Sequence, residues 1–250
     1  MAGHNKWSKV KHIKAAVDAR KGKVFSKIAR ELTIAAKSGG RDPDLNPRLR
    51  TAISAAKACN MPHDNVDRAI KKGLGELDGA VLEEITYEGY APGGVAMMVE
   101  CVTDNKNRSI NDVRIAFNKG GGTLGSAGSV AHQFSLKGEI KLPAAAAHED
   151  AVMEAALESG ADDVQSDTDE HTIYTAPDQL YAVAGGLKER GLAAASIKLV
   201  HVPANLVTLT DLSTARAVLK LYEMLDDLDD AQNVHTNFEI ADDLVDQLQA

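Results

Sequence analysis

The chain has 250 residues, with 28 Lys and Arg against 36 Asp and Glu, which gives a formal net charge of −8. Hydrophobic residues at 44% and charged residues at 26% are typical of a globular protein and exclude disorder over most of the chain. The length suits one large domain or two to three small ones. Aromatic residues, at 4%, are too few for a deep aromatic cofactor pocket.

The two cysteines, Cys59 and Cys101, lie far apart, and neither belongs to a C-x-x-C pair. This excludes a zinc ribbon and a disulfide scaffold and favours a reducing compartment. The N-terminus is polar and then basic, and the chain has no run of the roughly 18 apolar residues that a membrane helix needs. We therefore expect a cytoplasmic protein with no membrane partner.

Charge is distributed unevenly along the chain. Residues 1–75 contain 17 basic and 6 acidic residues, a net charge of +11, whereas residues 76–250 contain 11 basic and 30 acidic residues, a net charge of −19. Such a concentration of cations is typical of a segment that binds a polyanion. The alternative is that the cations lie on helix faces and pair with the acidic remainder of the protein.

Three helices are predicted in the basic region. The first is marked by an apolar stripe of helical period, formed by Phe25, Ile28, Leu32 and Ala36. This pattern stops at Gly39 and Gly40. Asn46-Pro47 is typical of an N-cap followed by proline at the first helical position, and a third helix is predicted after Met61-Pro62. Residues 1–78 are therefore predicted to form an all-helical domain.

Residues 79–134 change to a pattern of strands. Two segments joined by an Ala91-Pro-Gly-Gly turn predict a β-hairpin, and they are Ile85–Tyr90 and Val95–Val102. Ser109, followed three residues later by Asp112, resembles a capping box at the start of a helix. After a glycine-rich turn, a further strand is predicted over Leu124–Phe134.

The next region has the order β-α-β-β-α-β. Its predicted elements are strand 138–142, helix 150–158, strands 162–166 and 171–175, helix 178–190 and strand 195–202. This order is the ferredoxin-like arrangement. After this region, a helix from Ser213 to about Leu228 and the strand-like segments 206–209 and 233–240 are predicted. Together with the strands and helix of residues 79–134, they would make a sheet that is better covered than either part alone. The predicted fold class is α+β with three domains, which are 1–78, 79–134 plus 206–250, and an inserted ferredoxin-like domain over 135–205.

The remaining motifs predict no catalytic chemistry. Gly120–Ser129 lacks the lysine of a P-loop and follows a helix, so we interpret it as a helix end and a turn. His4 and His12 do not have the spacing of metal ligands. The acidic run Asp226–Asp230 lacks the spaced oxygens of an EF-hand and is interpreted as a solvated helix end. We expect no enzymatic activity, no metal and no cofactor.

The dense basic residues are the strongest functional signal in the sequence. Lys and Arg contact phosphates, and Trp7 would either stack on an unpaired base or hold the N-terminal segment against the protein's own surface. The candidate nucleic-acid-binding residues are Lys6, Trp7, Lys9, Lys11, His12, Lys14, Arg20, Lys21, Lys23, Lys27, Arg30, Arg48, Arg50, Lys71 and Lys72. The ferredoxin-like region offers Tyr174 but lacks the aromatic pattern of RNA-recognition modules, so we do not expect it to bind RNA in their way.

Several motifs in series resemble the YebC/PmpR family. They are Met1–Trp7, Lys21–Ile28, Arg30–Leu32, Asp42–Arg50, Tyr87–Gly94 and Gly125–Ala131. The likeness extends over essentially the whole chain. It implies an all-helical first domain, an α+β second domain and a ferredoxin-like third domain inserted into the second. One departure is Asn5, where serine is frequent in the family, and we expect little consequence.

The resemblance also implies a role in gene expression, with no catalytic residues to transfer. Family members are commonly described as probable transcriptional regulators that bind DNA. The mitochondrial relative is a translational activator, and bacterial members are linked to relief of ribosomes stalled on proline-rich sequences. The resemblance therefore implies DNA or ribosomal RNA as the partner.

Two classes of function stay open from the sequence. One is a regulator that binds nucleic acid, and the other is an acidic scaffold that binds proteins and makes no contact with nucleic acid. The division of charge favours a ribosomal partner, because bare duplex DNA would repel the acidic part of the chain. The sequence does not determine the oligomeric state, and a monomer is the slightly favoured expectation.

Overall fold

The structure, a computed structural model, describes residues 17–249 and has the predicted mixture of helices and strands. The helices are α1 (Val17–Gly39), α2 (Pro47–Ala58), α3 (His63–Gly73), α4 (Lys106–Lys119), α5 (Glu149–Glu158), α6 (Leu180–Glu189), α7 (Leu212–Asp226) and α8 (Asp242–Gln249). The strands are β1 (Glu83–Tyr90), β2 (Ala96–Thr103), β3 (Thr123–Leu124), β4 (Phe134–Pro143), β5 (Asp163–Ser166), β6 (Glu170–Thr175), β7 (Ser196–Pro203), β8 (Val207–Leu209), β9 (Ala231–Thr236) and β10 (Phe238–Ile240). The α+β fold class is confirmed.

The described chain forms two compact units. The inserted unit comprises Phe134–Ala204, and the main unit comprises the described residues through Gln133 together with those from Asn205 onward. The three predicted domains, 1–78, 79–134 plus 206–250, and 135–205, stay a prediction.

Helices α1, α2 and α3 form a bundle within the main unit. Its core consists mainly of Leu32, Ala35, Ala36, Leu49, Ala52, Ala56, Met61 and Ala69. The predicted cap of α2 is confirmed, because the side-chain oxygen of Asn46 accepts a 3.0 Å hydrogen bond from the backbone N–H of Leu49, with Pro47 at the first helical position. The Asn46 amide also donates to the carbonyl of Ala35 at 2.8 Å, so one buried side chain joins α1 to α2.

The main unit also contains a four-stranded antiparallel sheet with the order β3-β1-β2-β9. The predicted hairpin is confirmed, with Glu83 opposite Thr103 and Tyr90 opposite Ala96. Helices α4 and α7 contribute Phe117, Leu221 and Leu225 to the core packed against this sheet. Strands β8 and β10 form a separate parallel pair.

The predicted capping box at the start of α4 is wrong. The helix begins at Lys106, and its N-cap is Asn105, whose side chain accepts a 3.0 Å hydrogen bond from the backbone N–H of Arg108. Ser109 lies inside the helix and is buried. The cap is therefore an earlier Asx residue, and Ser109 contributes to packing.

The strand predicted over Leu124–Phe134 is also wrong. Only Thr123 and Leu124 pair with β1, and the chain then forms a loop and a short 3₁₀ turn at Ala131–Gln133 before β4 begins. The reason is Glu88 of β1, whose buried carboxylate accepts hydrogen bonds from three backbone N–H groups of this segment. Those N–H groups are not available to a strand ladder.

The inserted unit contains the predicted β-α-β-β-α-β order. Its antiparallel sheet has the order β5-β6-β4-β7. The core between this sheet and helices α5 and α6 includes Ile140, Leu142, Val152, Ile173, Leu180 and Leu187. This strand order is that of a ferredoxin-like sheet, in which the first and third strands of the motif are neighbours.

Candidate nucleic-acid interface

The structure describes the surroundings of only some of the predicted binding residues. Outside the described residues lie Lys6, Trp7, Lys9, Lys11, His12 and Lys14, and the side chains of Arg20 and Lys21 are also not described. The other candidates lie on α1 (Lys23, Lys27, Arg30), α2 (Arg48, Arg50) and α3 (Lys71, Lys72).

Lys23, Lys27 and Arg30 form a basic row along one face of α1, because their spacing of four and three residues places them on successive turns. This basic row faces an acidic segment, Asp226–Asp230, at the end of α7. Three ion pairs join them: Lys23 Nζ to Asp227 Oδ1 at 2.8 Å, Lys27 Nζ to Asp226 Oδ1 at 3.0 Å, and Arg30 Nη2 to Asp230 Oδ1 at 3.5 Å.

The same cations bind the backbone at the C-terminus of α7. Lys23 and Lys27 donate to the carbonyl oxygens of Asp227 and Asp226, each at 3.2 Å, and Arg30 donates to that of Asp229. The last carbonyls of a helix lack partners within the helix and form the negative end of its dipole. The interpretation of this segment as a solvated helix end holds only in part, because Asp227 and Asp229 are exposed whereas Asp230 is buried and cations from α1 bind the carbonyl oxygens.

Asp230 is the most buried member of the acidic segment, at 5% exposure. Its carboxylate accepts hydrogen bonds from Arg108 Nη2 at 2.9 and 3.0 Å and from Thr103 Oγ1 at 2.9 Å. The hydrogen bond to Asp230 raises the pKa of Arg108, which keeps the guanidinium charged. Asp230 thereby connects α1, the end of β2 and the first turn of α4.

Sequence reasoning missed Arg108 and Thr103. Both lie more than a hundred residues from Asp230 in the chain, and no local spacing relates them to it. The sequence does show that one region is basic and the other acidic, but this complementarity of charge does not indicate which residues contact Asp230.

A cleft of about 600 Å³ lies beside this network in the main unit. The basic residues that line it are Arg30, Lys72 and Arg108, and the acidic ones are Asp104, Asp112 and the aspartates of the acidic segment from Asp227 onward. Because acids outnumber bases in this lining, the cleft as it stands does not favour a phosphate.

Arg48 is also engaged within the protein. Its Nε lies 2.7 Å from Glu31 Oε1, and its Nη2 lies 2.6 Å from Glu84 Oε1. Burial acts to lower the pKa of Arg48, but hydrogen bonds to the two carboxylates outweigh burial and raise it. Arg48 therefore connects the helical bundle to β1.

The candidates on α3 make no ion pair to an acidic residue distant in the chain, within the residues that the structure describes. Lys71 pairs with Asp67, one turn earlier on α3, at 2.7 Å, and such exposed pairs contribute little. Arg50 is exposed, and Lys72 makes no ion pair with the part of the chain that the structure describes. Among the described candidates, Lys23, Lys27, Arg30 and Arg48 are thus bound to acidic residues distant in the chain, whereas Lys71 pairs within its own helix. Nucleic-acid binding by any of the candidates stays a prediction.

Two further findings concern membrane-spanning helices and the two cysteines. None of the helices within residues 17–249 combines the length and the apolar composition that crossing a bilayer requires. Cys59 and Cys101 are both free thiols, and burial raises the pKa of Cys101 to about 11. Cys101 is therefore a packing residue and not a reactive one.

Comparison with known proteins identifies the family. The family description "TACO1/YebC protein N-terminal domain" matches residues 5–76, and "TACO1/YebC second and third domain" matches residues 82–238. The two matches together cover most of the chain, so this chain belongs to the TACO1/YebC family.

Its relatives have similar lengths. A protein of Akkermansia muciniphila named "Probable transcriptional regulatory protein" is 54% identical over 250 residues, covering 99% of this chain and 100% of the relative. A protein of Aquifex aeolicus with the same name is 49% identical and covers 98% of both chains. The crystal structure of a conserved hypothetical protein from Aquifex aeolicus, 49% identical, matches with a TM-score of 0.85 over 92% of this chain and 94% of that one.

Proposed function

We propose that this protein is a cytoplasmic regulator of gene expression that acts by binding nucleic acid and not by catalysis, with residues 1–21 as its main phosphate-contacting segment. The observation that carries the proposal is the density of basic residues at the N-terminus, since residues 1–21 contain six basic residues and one acidic residue. The basic row that follows already pairs with the acidic segment. The names of the relatives, which describe transcriptional regulation, also support it.

The preferred partner is ribosomal RNA. Residues 76–250 carry a net charge of −19, and this part of the chain would be repelled by a bare duplex. A ribosomal surface offers RNA phosphates to the basic region and cationic proteins to the acidic region, so both regions gain favourable contacts.

Binding is expected to depend on the phosphate backbone. Helices α2 and α3 do not present the cluster of Asn, Gln and Arg side chains that reads base edges in a major groove, although their order along the chain resembles a helix-turn-helix. Phosphate contacts supply affinity without sequence information. We therefore expect weak sequence preference, and discrimination of a single base pair by about 1–3 kcal/mol would contradict this expectation.

The test replaces Lys6, Lys9, Lys11 and Lys14 together by glutamate and measures co-sedimentation with ribosomes and binding to a duplex DNA. A matched control reverses the same number of charges at exposed lysines that have no ion pair among the described residues, Lys57, Lys119, Lys188 and Lys220. The first variant should lose ribosome association and the control should keep most of it.

Two outcomes would redirect the proposal. If the first variant keeps ribosome association and loses only affinity for DNA, the partner is DNA and the regulation is transcriptional. If the wild-type protein binds neither ribosomes nor DNA at low salt, the scaffold function replaces nucleic-acid binding.

A further inference from the structure

The three cations of the basic row each pair with a different one of the four aspartates in the acidic segment. Each cation also binds a backbone carbonyl oxygen of that segment. The acidic segment therefore offers the row closely spaced anionic oxygens, which are the type of acceptor that a phosphate backbone presents, together with neutral carbonyl oxygens.

The exposure of these pairs makes the contact reversible. Side-chain exposures are 46% and 75% for Lys23 and Asp227, and 25% and 32% for Lys27 and Asp226. An ion pair as accessible to water as Lys23–Asp227 contributes little free energy and is weakened by salt, whereas the half-buried Lys27–Asp226 pair is screened less. Nucleic acid is a stronger competitor, because binding to its dense charge also releases condensed counterions.

Lys23 and Lys27 can exchange the acidic segment for phosphates without any movement of the helical bundle. Lysine has a long, flexible stem, so the ammonium groups of Lys23 and Lys27 can turn away from the acidic segment while α1 stays in place. The bundle is held independently by the buried cluster of Ile34, Leu82 and Val102 and by the 2.9 Å hydrogen bond from Lys37 Nζ to the carbonyl of Leu82.

We propose that the acidic segment is a built-in competitor of nucleic acid, so that it covers Lys23 and Lys27 in the unbound protein and yields them to phosphates on binding. The inference rests on the proposed function and adds a second phosphate-contacting surface together with its regulation. Arg30 is released last, because its partner Asp230 is buried and is held by Arg108.

The test is Asp226→Asn with Asp227→Asn in the full chain. Asparagine keeps the size of each side chain and leaves the backbone carbonyls available, while both negative charges are lost. Affinity for a fluorescein-labelled 24-nucleotide RNA, measured by anisotropy at fixed salt, should rise about 2- to 30-fold, as expected for freeing two weak ion pairs.

A matched control separates local competition from net charge. Asp44→Asn with Asp243→Asn removes the same charge at exposed residues that make no ion pair within the described part of the chain. This control should leave affinity nearly unchanged. Adding Lys23→Gln and Lys27→Gln to the first variant should abolish its gain, since the gain requires those two cations.

The outcomes distinguish this inference from the proposed function. The competitor role of the acidic segment is overturned if the Asp226/Asp227 variant binds no more tightly than the wild type, or if the control gains as much affinity. In either case, salt-dependent binding by the wild type still supports nucleic-acid binding as the function. Binding by the variant without binding by the wild type supports the competitor. If neither protein binds the RNA at any salt concentration, both are overturned.

Discussion

The carboxylate of Glu88 accepts a 2.7 Å hydrogen bond from the backbone N–H of Val130, across a chain separation of 42 residues. Gly128 and Ala131 donate to the same carboxylate at 2.7 and 2.8 Å, and Glu88 is 6% exposed. One side chain of β1 therefore defines the conformation of the loop after β3, in which Gly128 has a φ of +84°.

Replacing Glu88 by Gln should lower the free energy of unfolding by about 2–3 kcal/mol. The substitution removes the charge that strengthens three hydrogen bonds and introduces an N–H₂ group that faces backbone donors. Urea denaturation checks the value. Glu83→Gln, an exposed position on the same strand, should have little effect, and equal stability of the two variants would contradict the role of Glu88.

The stability of the protein should fall in acid partly because of Glu88. Burial acts to raise the pKa of Glu88, but the three backbone N–H donors outweigh it and hold the pKa below its ordinary value of 4.5. A carboxyl whose pKa is lower in the folded state stabilises that state above the unfolded pKa and loses this contribution as the pH falls through the folded pKa. Denaturation between pH 6 and pH 3 should therefore show a steeper loss below pH 4.5 in the wild type than in Glu88→Gln.

The helices and the hairpin were predictable because their signals are local. The apolar stripe of α1 repeats every three or four residues, the Asn46-Pro47 cap of α2 lies within one turn, and the structure confirms both. The loop after β3 was not predictable, because its N–H groups are bound by Glu88 about 40 residues earlier. The same holds for Lys23 and Asp227, which are separated by 204 residues. The sequence shows that both residues are charged, but it does not show that they pair with each other.

Replacing Asn46 by Ala should destabilise the main unit by about 2–4 kcal/mol. The variant loses the cap of α2 and also removes the amide that donates to the carbonyls of Gly40 and of Ala35, of which the latter keeps a 3.2 Å hydrogen bond from Ser38 Oγ. Thermal denaturation followed by circular dichroism measures the effect. Asn105→Ala at the exposed cap of α4 serves as the comparison and should cost only about 1 kcal/mol. A smaller loss at Asn46 than at Asn105 would show that the two carbonyls find other donors.

Two glycine-to-alanine changes in the helical bundle should act in opposite directions. A Cβ at Gly73 would lie 2.2 Å from the backbone carbonyl oxygen of Thr33, so Gly73→Ala forces α3 away from α1 and should cost about 1–3 kcal/mol. A Cβ at Gly22 of α1 has no neighbour within 4 Å, so Gly22→Ala should stabilise by up to about 1 kcal/mol through helix propensity. Denaturant midpoints of the two variants on opposite sides of the wild-type value are the expected result.

Binding to nucleic acid should weaken steeply with salt. If six or more phosphates are contacted, affinity should fall by about 10³ or more between about 50 and 200 mM salt. The glutamate variant at Lys6, Lys9, Lys11 and Lys14 should show a shallower dependence, with the logarithmic slope reduced, for each phosphate that the variant no longer neutralises, by about 0.7 on a single strand and about 0.9 on a DNA duplex. Anisotropy titrations at stepped salt provide both slopes, and a flat response of the wild type would rule out phosphate-dominated binding.

The strand order β3-β1-β2-β9 has a consequence for synthesis on the ribosome. Strand β2 is ready to pair on both sides once Thr103 has been made, but its second neighbour, β9, begins only at Ala231. At roughly 5–20 residues per second, the edge of β2 stays open in the nascent chain for on the order of ten seconds. During that interval the largely apolar segment Ala96–Thr103 is a template for pairing with other chains. A chain that is terminated within the inserted unit keeps this edge permanently and is expected to aggregate.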